Sequence, residues 1–232
     1  MLRQYSLDLE TFGKGPLACI VAIGCVEFCP TSNVILDRFY TPVDAESSVA
    51  YGGQMDASTV LWWLKQSEEA REAITVEGAL PIQMACVALS EWMAPEGDHK
   101  NVAVWGNGAV FDNVIMASAY RNAGIIQPWI YKHDMCGRTL RALRDLIGVD
   151  VTAGAIEPAD AIAHHALHDA EWLAGQVMAV IRRLRVADLS YNPCDDFVVP
   201  AKNEVNCGSE LAESVPVAAP SELQGQGDSG AQ

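Results

Sequence analysis

Near the start of the chain, Arg3-Gln4-Tyr5-Ser6-Leu7-Asp8-Leu9-Glu10-Thr11 is the stretch whose reading decides the fold. Successive side chains of a strand point to opposite faces, so Asp8 and Glu10 share one face, roughly 6 to 7 Å apart at Cα, while Leu7 and Leu9 turn into the opposite layer. Two carboxylates held this way suit a hard divalent cation. A solvated strand face is the alternative that a lone Asp-x-Glu leaves open, and the rest of the chain has to decide.

Two further strand-like runs follow at residues 18–28 and 34–40, with Gly13-Lys14-Gly15-Pro16 and Pro30-Thr31-Ser32-Asn33 as turn chemistry between the runs. The three read as a meander. Helical spacing takes over at residues 57–73 and 81–93, the second with Pro81 suited to a first turn. A buried strand at 101–105 leads through Gly106-Asn107-Gly108 into a helix at 112–123, and further helices fit 135–147 and 166–185. This order implies an α/β fold with a mixed central β-sheet flanked by α-helices.

The 232 residues, 50% hydrophobic, can bury a sizeable core. Residues 1–187 fit one domain. From 188 to 232 the chain is rich in Ser, Pro, Gly, Glu and Gln and reads as an acidic, disordered tail. No stretch approaches 18 consecutive apolar residues, and the N-terminus lacks a basic segment followed by a long apolar one, so the expectation is a soluble, cytoplasmic protein with no membrane partner. Seven cysteines, with no C-x-x-C pair, read as reduced apolar filler.

A net charge of −15 argues at first against nucleic acid, whose phosphates call for a basic surface. The charge is unevenly placed. Eight acids and one lysine lie from Asp188 onward, which leaves 14 basic against 22 acidic residues before it. Lys132, Arg138, Arg141 and Arg144 cluster, as do Arg182, Arg183 and Arg185. Each cluster reads first as a solvated helix face, with a phosphate track as the alternative. No obvious basic groove borders the segment around Asp112, which predicts weak, salt-sensitive binding and distributive turnover.

Two more carboxylates sit where helices should be apolar. Stepping back from Ile115, Met116 and Ala119 along the buried stripe of the helix at 112–123 lands on Asp112. Asp169 borders the stripe of Ala166, Ala170, Leu173, Ala174, Val177 and Met178 in the last helix. A buried carboxylate needs a cation, hydrogen bonds or solvent. For Asp112 alone a helix N-cap would suffice. Asp8, Glu10, Asp112 and Asp169 together are accounted for more economically as one cup of four oxygen donors, which favours Mg²⁺ or Mn²⁺ over zinc. Two such ions could activate water and stabilise the leaving oxygen of a phosphodiester. His164, five residues before Asp169, could take the proton of that water. His165 and His168 invite a zinc reading, which the divergence of neighbouring helical side chains argues against.

These residues resemble the DEDDh 3′-5′ exonucleases, which have an RNase H-like fold. Asp8-Leu9-Glu10-Thr11 is similar to the first motif, Asn107-Gly108-Ala109-Val110-Phe111-Asp112-Asn113 to the second, and His164-His165-Ala166-Leu167-His168-Asp169-Ala170 to the third, with its H-x4-D spacing. Within that superfamily the chain most resembles phage exonuclease A and related bacterial exoribonucleases. Trp62-Trp63-Leu64-Lys65-Gln66-Ser67, Glu69-Ala70-Arg71, and Asp134 ahead of Arg138-Thr139-Leu140 carry that nearer likeness, which spans about residues 4 to 180.

The resemblance implies metal ligation by Asp8, Glu10, Asp112 and Asp169, two Mg²⁺ or Mn²⁺ ions, and a general base at His164. It implies contacts to the terminal nucleotide from Thr11 and Phe12, with Asn107 shaping the pocket or making the turn. One of Trp62 and Trp63 would offer a stacking surface or pair as one core and one exposed ring. The expected activity is hydrolysis from the 3′ end of single-stranded DNA or RNA to nucleoside 5′-monophosphates. Two readings stay open beside it: a catalytically idle binding module on the same fold, and a phosphohydrolase acting on small nucleotides. Neither sugar preference nor oligomeric state follows from the sequence, a homodimer being one assembly open to it.

Overall fold

The structure, a computed structural model, describes residues 2–146 and 162–190, with side chains as far as 185. The five strands are β1 (Arg3–Thr11), β2 (Ile20–Cys29), β3 (Val34–Pro42), β4 (Val102–Gly106) and β5 (Asp134–Cys136). They form one mixed sheet in the order β3-β2-β1-β4-β5. β1–β2 and β2–β3 are antiparallel, whereas β1–β4 and β4–β5 are parallel. The acid-bearing strand is therefore the middle one. β2 reads Ile-Val-Ala-Ile-Gly-Cys-Val and is buried on both faces over that run, which its apolar continuity requires.

Seven α-helices occur among the described residues: α1 (Ala45–Ala50), α2 (Ala57–Trp63), α3 (Glu68–Ile74), α4 (Ile82–Met93), α5 (Asp112–Ala123), α6 (Gly137–Leu146) and α7 (Ala166–Ser190). One face of the sheet, with Tyr5, Leu7, Leu9, Ile23 and Val104, packs with α4 and α5 through Leu89, Met93, Ile115 and Met116. The other, with Val26, Phe28 and Trp105, takes α7 through Leu173, Ala174, Val177 and Met178. This two-sided arrangement puts Leu7 and Leu9 in one layer and leaves Asp8 and Glu10 facing the other, as their alternation requires.

Beyond shifts of one or two residues at element ends, four departures from the sequence expectation stand out. The helix expected over 57–73 is two helices, because Ser67 caps the second: its hydroxyl accepts from the Ala70 N–H at 3.2 Å, with Glu68 and Glu69 in the first turn. α1, not expected, is capped by Asp44, whose carboxylate accepts from the Glu46 and Ser47 N–H groups. Asp134–Cys136 is a short edge strand, so α6 starts at Gly137 and not at 135. The last helix runs on to Ser190, three residues beyond the domain boundary expected at 187. The rest of the expected acidic tail lies outside the described residues. Among the described residues Cys19, Cys25, Cys29, Cys86 and Cys136 are unpaired, and Cys194 and Cys207 lie outside them.

Candidate active site

Asp8 stands opposite Gly24 of β2 and Glu10 opposite Ala22, and the ladder slips immediately after Glu10. Both acids thus lie at the C-terminal end of the central strand. The first turn of α7 rests on Gly24: a Cβ there would fall 2.1 Å from the Ala166 carbonyl carbon, so only glycine permits this approach. Asp169, one turn further on, descends onto the strand acids, and single carboxylate oxygens of Asp8, Glu10 and Asp169 lie within 4.8 Å of one another. A second close approach delivers Asp112. At Gly106, the last residue of β4, a Cβ would stand 2.2 Å from Asn113 Oδ1 and 3.1 Å from Asp112 Cβ. Asp112 is the first residue of α5 and does not cap it. Its carboxylate turns back to accept from the Gly108 N–H at 3.3 Å, and only 3% of the residue is exposed.

All four acids and His164 line one cavity of about 190 Å³, together with Asn107, Phe111 and Arg138. Burial raises the pKa of every acid, and crowding by the other carboxylates adds to it at Asp8 and Glu10. Asp8 is pushed well above the usual carboxylate range by burial, then by Asp112, Glu10 and Asp169. Burial followed by Asp169 and Asp112 lifts Glu10 to about 8. Asp112 rises to about 6 through burial, moderated by backbone N–H groups and by Arg138. Asp169 rises through burial and is restrained by His164 and His168. Four neighbouring carboxylates cannot all ionise unaided. A divalent cation removes that conflict, and an all-oxygen donor set fits Mg²⁺ or Mn²⁺.

His164 adopts a left-handed backbone, φ 62°, at the entrance to α7. Its ring meets those of Trp62 and Trp63 edge-on, with centroids 4.8 and 6.4 Å away. The two tryptophans divide as a core and an exposed ring: Trp63 is buried and donates from Nε1 to the Thr11 carbonyl at 2.9 Å, while Trp62 is 41% exposed. Both line a second cavity of about 350 Å³ that shares Leu9, Glu10 and Phe111 with the acid cavity. An apolar slot therefore adjoins a charged one, with Phe111 and Leu9 at the border.

Of the expected nucleotide contacts, Thr11 lines the second cavity, although its hydroxyl donates to the Gly13 carbonyl at 2.8 Å. Asn107 lines the acid cavity and also makes the turn: its Oδ1 accepts from Arg141 at 2.6 Å and its carbonyl from the Arg138 N–H at 3.1 Å. Phe12 lines neither cavity. It packs beside Cys19, Val21 and Trp63, and its backbone bonds Cys19 and Asp56. His165 and His168 form no metal cluster among the described residues. They stack on one another at 4.3 Å, with Tyr40 on the far side of His165 at 4.5 Å.

Phe111, Arg138, Lys14 and Thr59 are among the cavity residues that sequence reasoning did not assign. Phe111 and Arg138 lay inside quoted motifs, whereas Lys14 and Thr59 carried no signal, since only the folded chain brings the first turn and α2 together. Arg138, expected first as part of a solvated face, stands against Gly108 beside the acids, so the segment around Asp112 does have a cation at its border.

Residues 3–181 match the model of the 3′-5′ exoribonuclease Rv2179c-like domain. The chain belongs to that family. The description of that family implies phosphodiester hydrolysis. None of the curated proteins matches it. Among solved structures it is similar to E. coli Exonuclease I in complex with a dT13 oligonucleotide, with 17% identity and a TM-score of 0.52 over 82% of this chain and 43% of the other. Apo Exonuclease I gives 15% identity and a TM-score of 0.54 over 82% and 44%. The nuclease domain of 3'hExo, a DEDDh family member bound to rAMP, gives 16% and 0.50 over 79% and 92%. The chain spans less than half the length of Exonuclease I. At these identities the likeness establishes the RNase H-like fold, mixed sheet and flanking helices included.

Proposed function

We propose that this chain removes nucleotides one at a time from the 3′ end of single-stranded RNA, releasing nucleoside 5′-monophosphates, with two Mg²⁺ or Mn²⁺ ions at Asp8, Glu10, Asp112 and Asp169. The observation that carries the reading is the convergence of all four carboxylates and His164 on one cavity with an aromatic-walled cavity beside it. The family description supports RNA over DNA.

When bound, the ions supply Lewis acidity toward the phosphodiester and its attacking water. The chain's own groups do the rest. The four carboxylates, released from mutual repulsion, hold the scissile phosphate's surroundings in fixed geometry. His164 accepts the proton of the water that attacks phosphorus in line, and the leaving 3′ oxygen stays with the shortened strand. Arg138 faces a non-bridging phosphate oxygen. The terminal base enters the second cavity against Trp62, Phe111 and Leu9, where stacking tolerates any base. Insertion of a single terminal base into this slot of about 350 Å³, beside the acids, makes the reaction exonucleolytic.

A cytoplasmic setting belongs to this reading, supported by the free cysteines, as does the nearer resemblance to phage exonuclease A. So does a homodimer, for which the exposed Val34 and Leu36 on the edge strand β3 offer apolar surface. Matched 5′-labelled RNA and DNA oligonucleotides, incubated with Mg²⁺, Mn²⁺ or EDTA, test the function. The expected result is a metal-dependent ladder that shortens from the 3′ end and runs faster on RNA. Equal rates on both sugars would remove the RNA assignment, and cleavage of mononucleotide esters alone would favour a small-nucleotide hydrolase.

A further inference from the structure

Trp62 lines the second cavity and not the acid cavity, yet its ring packs on His164, which lines the acid cavity. It stands in the last turn of α2, is 41% exposed, and meets the His164 ring at 4.8 Å and 78°. His164 needs such support. Its backbone occupies the left-handed region, sparsely populated by residues other than glycine, and such conformations persist only where surroundings over-determine them. Among the described residues its imidazole makes no side-chain hydrogen bond, so beside the charge attraction to Asp169 it is ring packing that orients it. Trp63 gives the more distant of the two ring contacts, 6.4 Å, and is itself pinned to the Thr11 carbonyl and edge-packed on Trp62 at 5.2 Å.

We propose that Trp62 is a positioning residue for the hydrolytic reaction: its indole holds the His164 imidazole facing the acid cavity, so that truncating Trp62 lowers the rate of the chemical step through His164. The proposal rests on the reading of His164 as the proton acceptor. An edge-to-face aromatic pair favours one ring orientation over others by an energy equivalent to a rate factor of roughly 10. Misplacement of a reacting group by a fraction of its working distance costs up to about 10².

A double-mutant cycle read under single-turnover conditions, with enzyme in excess over 5′-labelled RNA and Mn²⁺ present, tests this. Single turnover separates the chemical step from binding and release. Trp62→Leu is expected to lower the single-turnover rate about 10- to 10²-fold in the wild-type background. In a His164→Ala background the same substitution should change the rate by less than about twofold, because the group it acts through is gone. Trp62→Phe, which keeps an aromatic edge against His164, should recover the rate to within about threefold of wild type.

Equal losses from Trp62→Leu in both backgrounds would overturn the inference, since general disturbance of the fold or loss of base stacking acts whether or not His164 is present. An unchanged single-turnover rate at saturating enzyme with only weaker binding would overturn it too, leaving Trp62 a wall of the second cavity. His164→Ala with a wild-type rate would remove the proton-acceptor reading itself and the inference with it.

Discussion

Gly24 of β2 lies directly beneath Ala166 of α7, so close that a single Cβ at position 24 would stand 2.1 Å from the Ala166 carbonyl carbon. This contact sets the height of α7 above the sheet, and with it the reach of Asp169 toward Asp8 and Glu10. Gly24→Ala must lift or slide the first turn of the helix. A loss of stability of about 1–3 kcal/mol is expected from overpacking. Activity should fall further than stability, by at least about 10², because His164 and Asp169 move with the turn. Gly15→Ala, which has open space around it, should leave both unchanged. Thermal melts and initial rates on one RNA oligonucleotide measure the comparison.

Replacing the acids separates function from stability. Asp8→Asn removes one of four crowded carboxylates whose burial and mutual repulsion already push its pKa up. Melting of the metal-free protein should therefore rise, while activity falls on the order of 10³ or more. The stabilisation that Mn²⁺ confers on the wild type should largely vanish in the variant. A metal-free variant that melts below the wild type would contradict the electrostatic account.

The pH dependence of stability follows with a definite sign. Glu10 holds its proton up to about pH 8 when folded, against an ordinary value of 4.5, so between those values the folded protein binds more protons than the unfolded one. Without metal, stability is greatest on the acid side of this window and is lost as pH rises through it. Asp112, raised to about 6, adds the same trend over a lower range. Melts in EDTA from pH 5 to 8 should show a falling midpoint, and saturating Mg²⁺ should flatten or reverse the slope.

Much of this site was legible in the sequence because strand and helix periodicities are strict. Alternation in β1 placed Asp8 and Glu10 on one face, and helical spacing flagged Asp112 and Asp169 as acids on apolar stripes. What the sequence hid was set by contacts between distant segments. Phe12 follows the first motif directly, but the chain turns at Gly13, and the ring packs beside Cys19 and Val21 instead of facing a cavity. Lys14 and Thr59 line one cavity only because the turn after β1 folds against α2, where Lys14 donates to the Ser58 hydroxyl at 3.0 Å. The break between α2 and α3 was written in Ser67-Glu68-Glu69, a cap signal outweighed by continuous helical spacing on either side.

Arg138 offers a test of how the strand is held. It lines the acid cavity and its charge is among the influences that lower the Asp112 pKa. Arg138→Gln should raise KM for RNA about tenfold and reduce the slope of log affinity against log salt by about one, as expected for one lost phosphate contact. An unchanged salt slope would return Arg138 to the solvated helix face.

The central claim is tested most directly by identifying the first product released from an RNA oligonucleotide labelled in its 3′-terminal nucleotide, in Mn²⁺, with wild type and Asp169→Asn. The account predicts that the label leaves in the first turnover as a nucleoside 5′-monophosphate and that the variant releases almost none. Label appearing first in longer internal fragments, or equal release by Asp169→Asn, would contradict it.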